Sequence, residues 1–140
     1  MLFYSKYDII SLIFERAETM LTQNEIEVLD DYLARIIWGS TWNNKWLESD
    51  LKNHFKRMEE EKAKASFLYM GKQLAIYTKA NPKNFSYSKL VASLSTLLLV
   101  ITAATGIPAI IIAGLSNLAV QGVVTGKEIY DDNKASKEKS

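Results

Sequence analysis

The residues of this chain that could do chemistry are few, and their spacing argues for membranes before bond-making. His54 is the only histidine in the sequence. With one imidazole and no supporting local motif, no Ser-His-Asp arrangement can be assembled. A metal would have to be held by His54 with carboxylates such as Asp50, four residues away. That pairing is common by chance and is read as a surface histidine near a surface acid. No glycine-rich loop carries the lysine and serine that cradle a phosphate. Cysteine is absent, which removes thiol nucleophiles, disulfides and Cys-based zinc. The expectation is a non-enzyme with no cofactor and no metal.

Spacing is more informative near the C-terminus. Gly114, Leu118, Gly122 and Gly126 recur at intervals of four, and Gly122 to Gly126 forms a GxxxG pattern. In lipid that pattern lets two helix backbones approach closely. Gly114, Gly122 and Gly126 are the candidate helix-packing residues. Asn117, Gln121 and Thr125 run beside them, displaced by one position. Amide and hydroxyl groups in lipid seek partners across helices or water. With Ser95 and Thr102 from the preceding segment, they form the candidate lining of a polar path.

The element carrying these residues is unusual. No charge of either sign occurs from Leu90 to Gly126, a stretch of 37 residues. One straight helix of that length would span roughly 55 Å, against a hydrocarbon core of about 30 Å. Gly106 and Pro108 sit near the middle, where glycine can close one helix and proline can open the next. The segment over 85–126 therefore reads as a helical hairpin with arms over about 87–105 and 108–126. Lys79, Lys83 and Lys89, with Tyr77, Phe85 and Tyr87, precede the first arm, and Lys127 follows the second. Lysine mixed with aromatic rings suits a membrane–water interface. All of these groups lie at one end, so both termini are expected on the cytoplasmic side of a membrane. The N-terminus lacks the basic start and unbroken apolar run of a secretory leader.

Residues 1–84 read as amphipathic helices. Ile9, Ile10, Leu12, Ile13, Ala17, Met20 and Leu21 predict a helix over about 6–21. Thr22-Gln23-Asn24-Glu25 has the form of a capping box. Ile26, Leu29, Leu33, Ile36 and Ile37 make the stripe of a second helix, with Gly39 as its stop. The two are expected to pair as an antiparallel hairpin. A third helix is predicted from Ser49 to about residue 80, ended by Asn81-Pro82. Trp38, Trp42 and Trp46, four apart, suit either a corner between helices or a surface that binds a protein partner. The last segment, 127–140, is a charged tail. No alternating strand pattern competes, so the fold class is all-α.

Charge is balanced overall at +1 and unevenly distributed. Residues 1–31 carry Lys6 and Arg16 against seven acids, a net −5, while residues 32–89 carry a net +6. A net charge near zero makes electrostatic coating of nucleic acid an unsuitable function. Between Lys62 and Lys127 no acid occurs, and Lys62, Lys64, Lys72, Lys79, Lys83 and Lys89 suit an anionic lipid surface.

Amphipathic helices around an uncharged hairpin resemble the pore-forming bacteriocin domains of the colicin type. The resemblance covers about residues 87–126 and lies in hydropathy, not in a motif. Phage holins are similar in their hairpin and charged tail. Such resemblances imply a hairpin that inserts and breaches a permeability barrier. The leading expectation is a small helical membrane effector that self-associates into a pore. The alternatives are a membrane-anchored immunity or regulatory protein, whose N-terminal helices bind a protein partner, and a soluble helical scaffold with the hairpin in its core.

Overall fold

The computed structural model describes residues 6–38 and 44–121. They form helices α1 (Lys6–Thr19), α2 (Gln23–Ile37), α3 (Asn44–Lys56), α4 (Glu60–Ala80) and α5 (Tyr87–Thr105), then α6, described over Ala109–Gln121. No strand occurs among the described residues. The fold is all-α.

The turn between α1 and α2 is the predicted capping box. Thr22 Oγ1 accepts from the Glu25 amide at 3.1 Å, and Glu25 Oε1 accepts from the Thr22 amide at 3.1 Å. Two amide groups that the first turn of α2 leaves without helical partners are thereby satisfied.

The predicted third helix is two helices. The chain breaks over Arg57–Glu59, and α4 begins with Glu59 as its N-cap in an extended conformation. Neither proline nor glycine forces the break. Leu47, Leu51 and Phe55 bury one face of α3, which packs mainly on α5, while α4 is buried among α1, α2 and α5; the break lets the two take these separate places. A local signal does mark the start: Glu60 and Glu61 occupy the first turn of α4, where acids complement the helix dipole.

The middle of the molecule is α4. Ala63, Ser66, Phe67, Met70 and Leu74 are fully enclosed, and Ala65, Leu68, Tyr69, Ala75 and Thr78 are buried around them. A helix apolar all round must be covered on all sides. Helices α1, α2 and α5 each pack against it. Phe14, Ala17 and Leu21 come from the α1 side, and Leu29 and Leu33 from α2. Thus the uncharged hairpin is not the wrapped centre that a soluble arrangement suggests. It helps to wrap α4.

The hairpin arms match the predicted ones as far as they are described. Ser86 caps α5 by accepting from the Lys89 amide at 3.3 Å. Gly106 closes it with φ of 75°, a left-handed conformation that glycine takes without penalty, and its amide donates to the Thr102 carbonyl at 3.0 Å. Pro108 stands immediately before α6, where its carbonyl accepts from the Ile111 and Ile112 amides. Leu90, Leu94, Leu97, Val100 and Ile101 turn inward from α5 onto α3 and α4.

Helix α6 approaches α4 closely at Gly71. A Cβ on Gly71 would lie 3.1 Å from the Ala119 Cβ and 3.5 Å from Leu94 Cδ2. Gly71→Leu should therefore push α6 off α4, at a cost of about 1–3 kcal/mol. Urea denaturation should show the loss. Hydrogen exchange should place the new exposure in α6, with α1 and α2 still protected; uniform loss across all helices would contradict the local contact.

Candidate functional site

The acidic N-terminal helices and the basic α4 meet. Lys72 Nζ lies 2.9 Å from Glu18 Oε1 of α1, and Lys62 Nζ lies 2.7 Å from Glu25 Oε1 at the capping box. Tyr69 donates its hydroxyl to Asp30 Oδ1 of α2 at 2.5 Å. Burial and the Asp30 carboxylate together push the Tyr69 phenol above its ordinary range. Lys64 pairs with Glu60 and Glu61 on its own helix. Three of the six lysines predicted to face lipid are therefore held by acids, and part of the acidic charge of the N-terminal helices, expected to bind a protein partner, is engaged within the bundle.

Lys79, Lys83 and Lys89 are exposed and make no ion pair among the described residues. Lys89 Nζ donates to the Asn84 carbonyl at 3.3 Å. Beside them the predicted aromatics divide. Phe85 is buried, Tyr77 is half-buried and Tyr87 is exposed. Tyr77 stacks edge-on against Phe85 at 5.8 Å and against Trp38 at 6.5 Å. Trp38 is 66% exposed. Trp42 lies outside the described residues, and Trp46 is in the first turn of α3 with its side chain outside them.

The hairpin is packed on one side only. By length and composition α5 can cross a membrane, yet 28% of its most apolar window is buried inside the bundle. Leu99 is 68% exposed and Ile110 is 81% exposed, with Ile111 and Val91 also on the surface. Leu99, Ile110 and Ile111 flank the turn at Gly106, and no charged residue stands near them in sequence.

Among the predicted lining residues, Asn117, Gln121 and Ser95 are exposed. Ser95 and Asn117 line a cleft of about 200 Å³ between α5 and α6, together with Ser116, Val91, Leu98 and Val120. Thr102 is half-buried, and its Oγ1 is enclosed without a hydrogen-bond partner among the described residues. Gly114 is exposed, and a Cβ there would meet nothing within 4 Å, so it serves no packing within the described chain. Gly71, within α4, is the glycine that admits a neighbouring helix; its position one residue before Lys72 gave no repeat to mark it. Thr125, Gly122, Gly126 and Lys127 lie outside the described residues.

His54 stands apart from all of this chemistry. Its ring lies 5.4 Å from Tyr32 and 5.9 Å from Phe55. Nε2 is enclosed without a partner among the described residues. Asp50, its neighbour in sequence, instead holds Arg35 of α2 at 3.3 Å. No group of three or more metal-ligating side chains occurs among the described residues.

No family model, curated protein or solved structure matches the chain.

Burial, then the nearby Arg57, holds the His54 pKa below its ordinary 6.5, against an opposing pull from Glu25. A lowered imidazole pKa means that the unfolded chain binds the proton more readily. Stability is thus complete above pH 6.5 and declines as pH falls through 6.5 toward the folded value. The urea midpoint should be lower at pH 5.5 than at pH 7.5, and His54→Phe, which keeps a ring against Tyr32, should remove most of that difference. Glu25 acts in a separate window: the Lys62 hydrogen bond lowers its pKa below 4.5, so its contribution is lost only under more acid conditions. An unchanged difference in His54→Phe would assign the effect to other groups.

Proposed function

We propose that this chain is a membrane-active helical protein whose uncharged hairpin enters a bilayer from its Gly106 turn and self-associates there into a pore. The observation that carries this reading is the one-sided packing of the hairpin. Leu99, Ile110 and Ile111 stand on the surface around a turn without charge. Lipid would bury them, whereas water does not. The face of α5 already buried loses little on transfer, because lipid tails are as apolar as the leucines it leaves. Uncovering α3 and α4 opposes insertion, so the bundle is a stored form and the bilayer supplies the driving force.

Geometry adds a scale. The 19 residues of α5 span about 28 Å at 1.5 Å per residue, close to a hydrocarbon core of about 30 Å. Lys83, Lys89 and Tyr87 then stand at the near interface when the turn reaches the far one. Gln121 is exposed, and Asn117 and Ser95 are exposed along the cleft between α5 and α6, where a second copy could meet them to line a path. The packing of Leu90, Leu94, Leu97 and Ile101 onto α3 and α4 favours a competing reading, a soluble scaffold whose hairpin never leaves.

Arginine at Leu99 or Ile110 separates the two. Both side chains are already exposed, so the bundle should tolerate the change within about 0.5 kcal/mol. In a bilayer the same charge costs about 2.5–3.5 kcal/mol, or roughly a hundredfold in partitioning. Wild-type protein should float with vesicles and release an entrapped dye, and Leu99→Arg and Ile110→Arg should lose both at unchanged urea midpoints. Asn117→Leu combined with Gln121→Leu should keep flotation and abolish release. A wild type that never floats would establish the scaffold reading instead.

A further inference from the structure

Two sets of residues that are far apart in sequence meet at the end of the bundle opposite the hairpin turn. The end of α2 brings Ile36, Ile37 and Trp38, and the connection from α4 into α5 brings Tyr77, Lys83, Phe85 and Lys89. With Ala92 and Ser93 they enclose a groove of about 580 Å³. Its lining divides by chemistry. The isoleucines, Phe85 and Ala92 make an apolar floor; Lys83 and Lys89 bring two cationic groups; Trp38 stands open, edge-on to Tyr77.

No acidic residue lines the groove. That matters because acids inside the bundle hold Lys62, Lys64 and Lys72. Lys83 makes no hydrogen bond or ion pair among the described residues, and Lys89 uses one donor on the Asn84 carbonyl, leaving two. Two ammonium groups above an apolar floor suit a phosphate attached to something apolar. A free anion, or a peptide acidic throughout, would leave the floor in water, whereas a phospholipid brings its phosphate and its apolar chain in one molecule. Tryptophan and tyrosine, with apolar bodies and polar edges, suit the boundary between headgroup and acyl chain.

We infer that this groove is a headgroup site for an anionic phospholipid, with the phosphate between Lys83 and Lys89 and the upper acyl chain along Ile36, Ile37 and Phe85. The inference rests on the membrane-active reading for its occupant, and it names the lipid class that reading leaves open. The site stands at the level where α5 would emerge from the near leaflet. It selects a membrane surface before the hairpin enters, and it holds the end of the bundle where the hairpin is rooted.

The test uses a full-length chain carrying Trp42→Phe and Trp46→Phe, so that Trp38 is the sole indole, with circular dichroism to confirm its helicity. The probe is dihexanoyl phosphatidylglycerol below its micelle concentration. Trp38 emission should shift to the blue in a saturable way. Dihexanoyl phosphatidylcholine should bind at least tenfold more weakly, and Lys83→Gln with Lys89→Gln should weaken phosphatidylglycerol binding at least tenfold. Lys52→Gln with Lys56→Gln, which removes the same charge from α3, should change it by less than twofold. Equal losses in the two double variants would overturn the site in favour of diffuse attraction. The same shift with inorganic phosphate or with polyglutamate would overturn the lipid assignment. Dye release from vesicles keeps the two ideas apart: release without a Trp38 shift overturns the groove alone, and a Trp38 shift without release supports the groove while removing the pore.

Discussion

The burial of α4 is the constraint on which the rest of this bundle depends. From Ala65 to Thr78 that helix carries one charged residue, Lys72, and its apolar side chains point in every direction. Phe67, Met70 and Leu74 are fully enclosed. Each contributes about 1.5–3 kcal/mol relative to exposure. No single neighbour can cover such a cylinder, so the amphipathic helices and the hairpin share the task. The single charge is accommodated by pairing: Lys72 reaches Glu18 at 2.9 Å and lies over the Phe14 ring at 5.2 Å.

That arrangement explains the division of charge along the chain. An N-terminal region of net −5 precedes a region of net +6. In three dimensions they are adjacent layers, joined by Lys72 to Glu18, Lys62 to Glu25, and Tyr69 to Asp30. Each contact is only partly buried, so each adds orientation more than stability. Glu25 serves twice, closing the capping box of α2 and receiving Lys62 from α4. One side chain thereby sets both where α2 begins and how it lies on its neighbour.

The hairpin answers two demands with two faces. Its inward leucines complete the cover of α4, while Leu99, Ile110 and Ile111 remain outside. An ordinary soluble bundle would place polar residues there. The proposed membrane entry uses this mismatch, because lipid satisfies both faces and water only one. The same asymmetry separates the ends of the molecule. The turn is charge-free, and the opposite end collects Lys79, Lys83 and Lys89, cations that make no ion pair among the described residues.

Much of the local structure is legible in the sequence. Thr22 and Glu25 mark the start of α2, Asn81-Pro82 the end of α4, and Gly106 the hairpin turn, because each acts through hydrogen bonds or dihedral limits within a few residues. The uncharged length of the hairpin is equally plain, since it needs only counting. Three features were decided by tertiary structure. The break at Arg57–Glu59 lets α3 lie on α5 while α4 takes the middle of the bundle, an arrangement set by distant partners. Gly71 matters because Ala119, nearly fifty positions later, comes to rest upon it. Trp38 lines one groove with Lys83 and Lys89 because the end of α2 and the start of α5 come together there. Sequence determines what each segment must bury and where it must turn. Which segment does the burying is a property of the assembled helices, since hydrophobic burial has no direction and takes whichever apolar face the rest of the chain can bring to it.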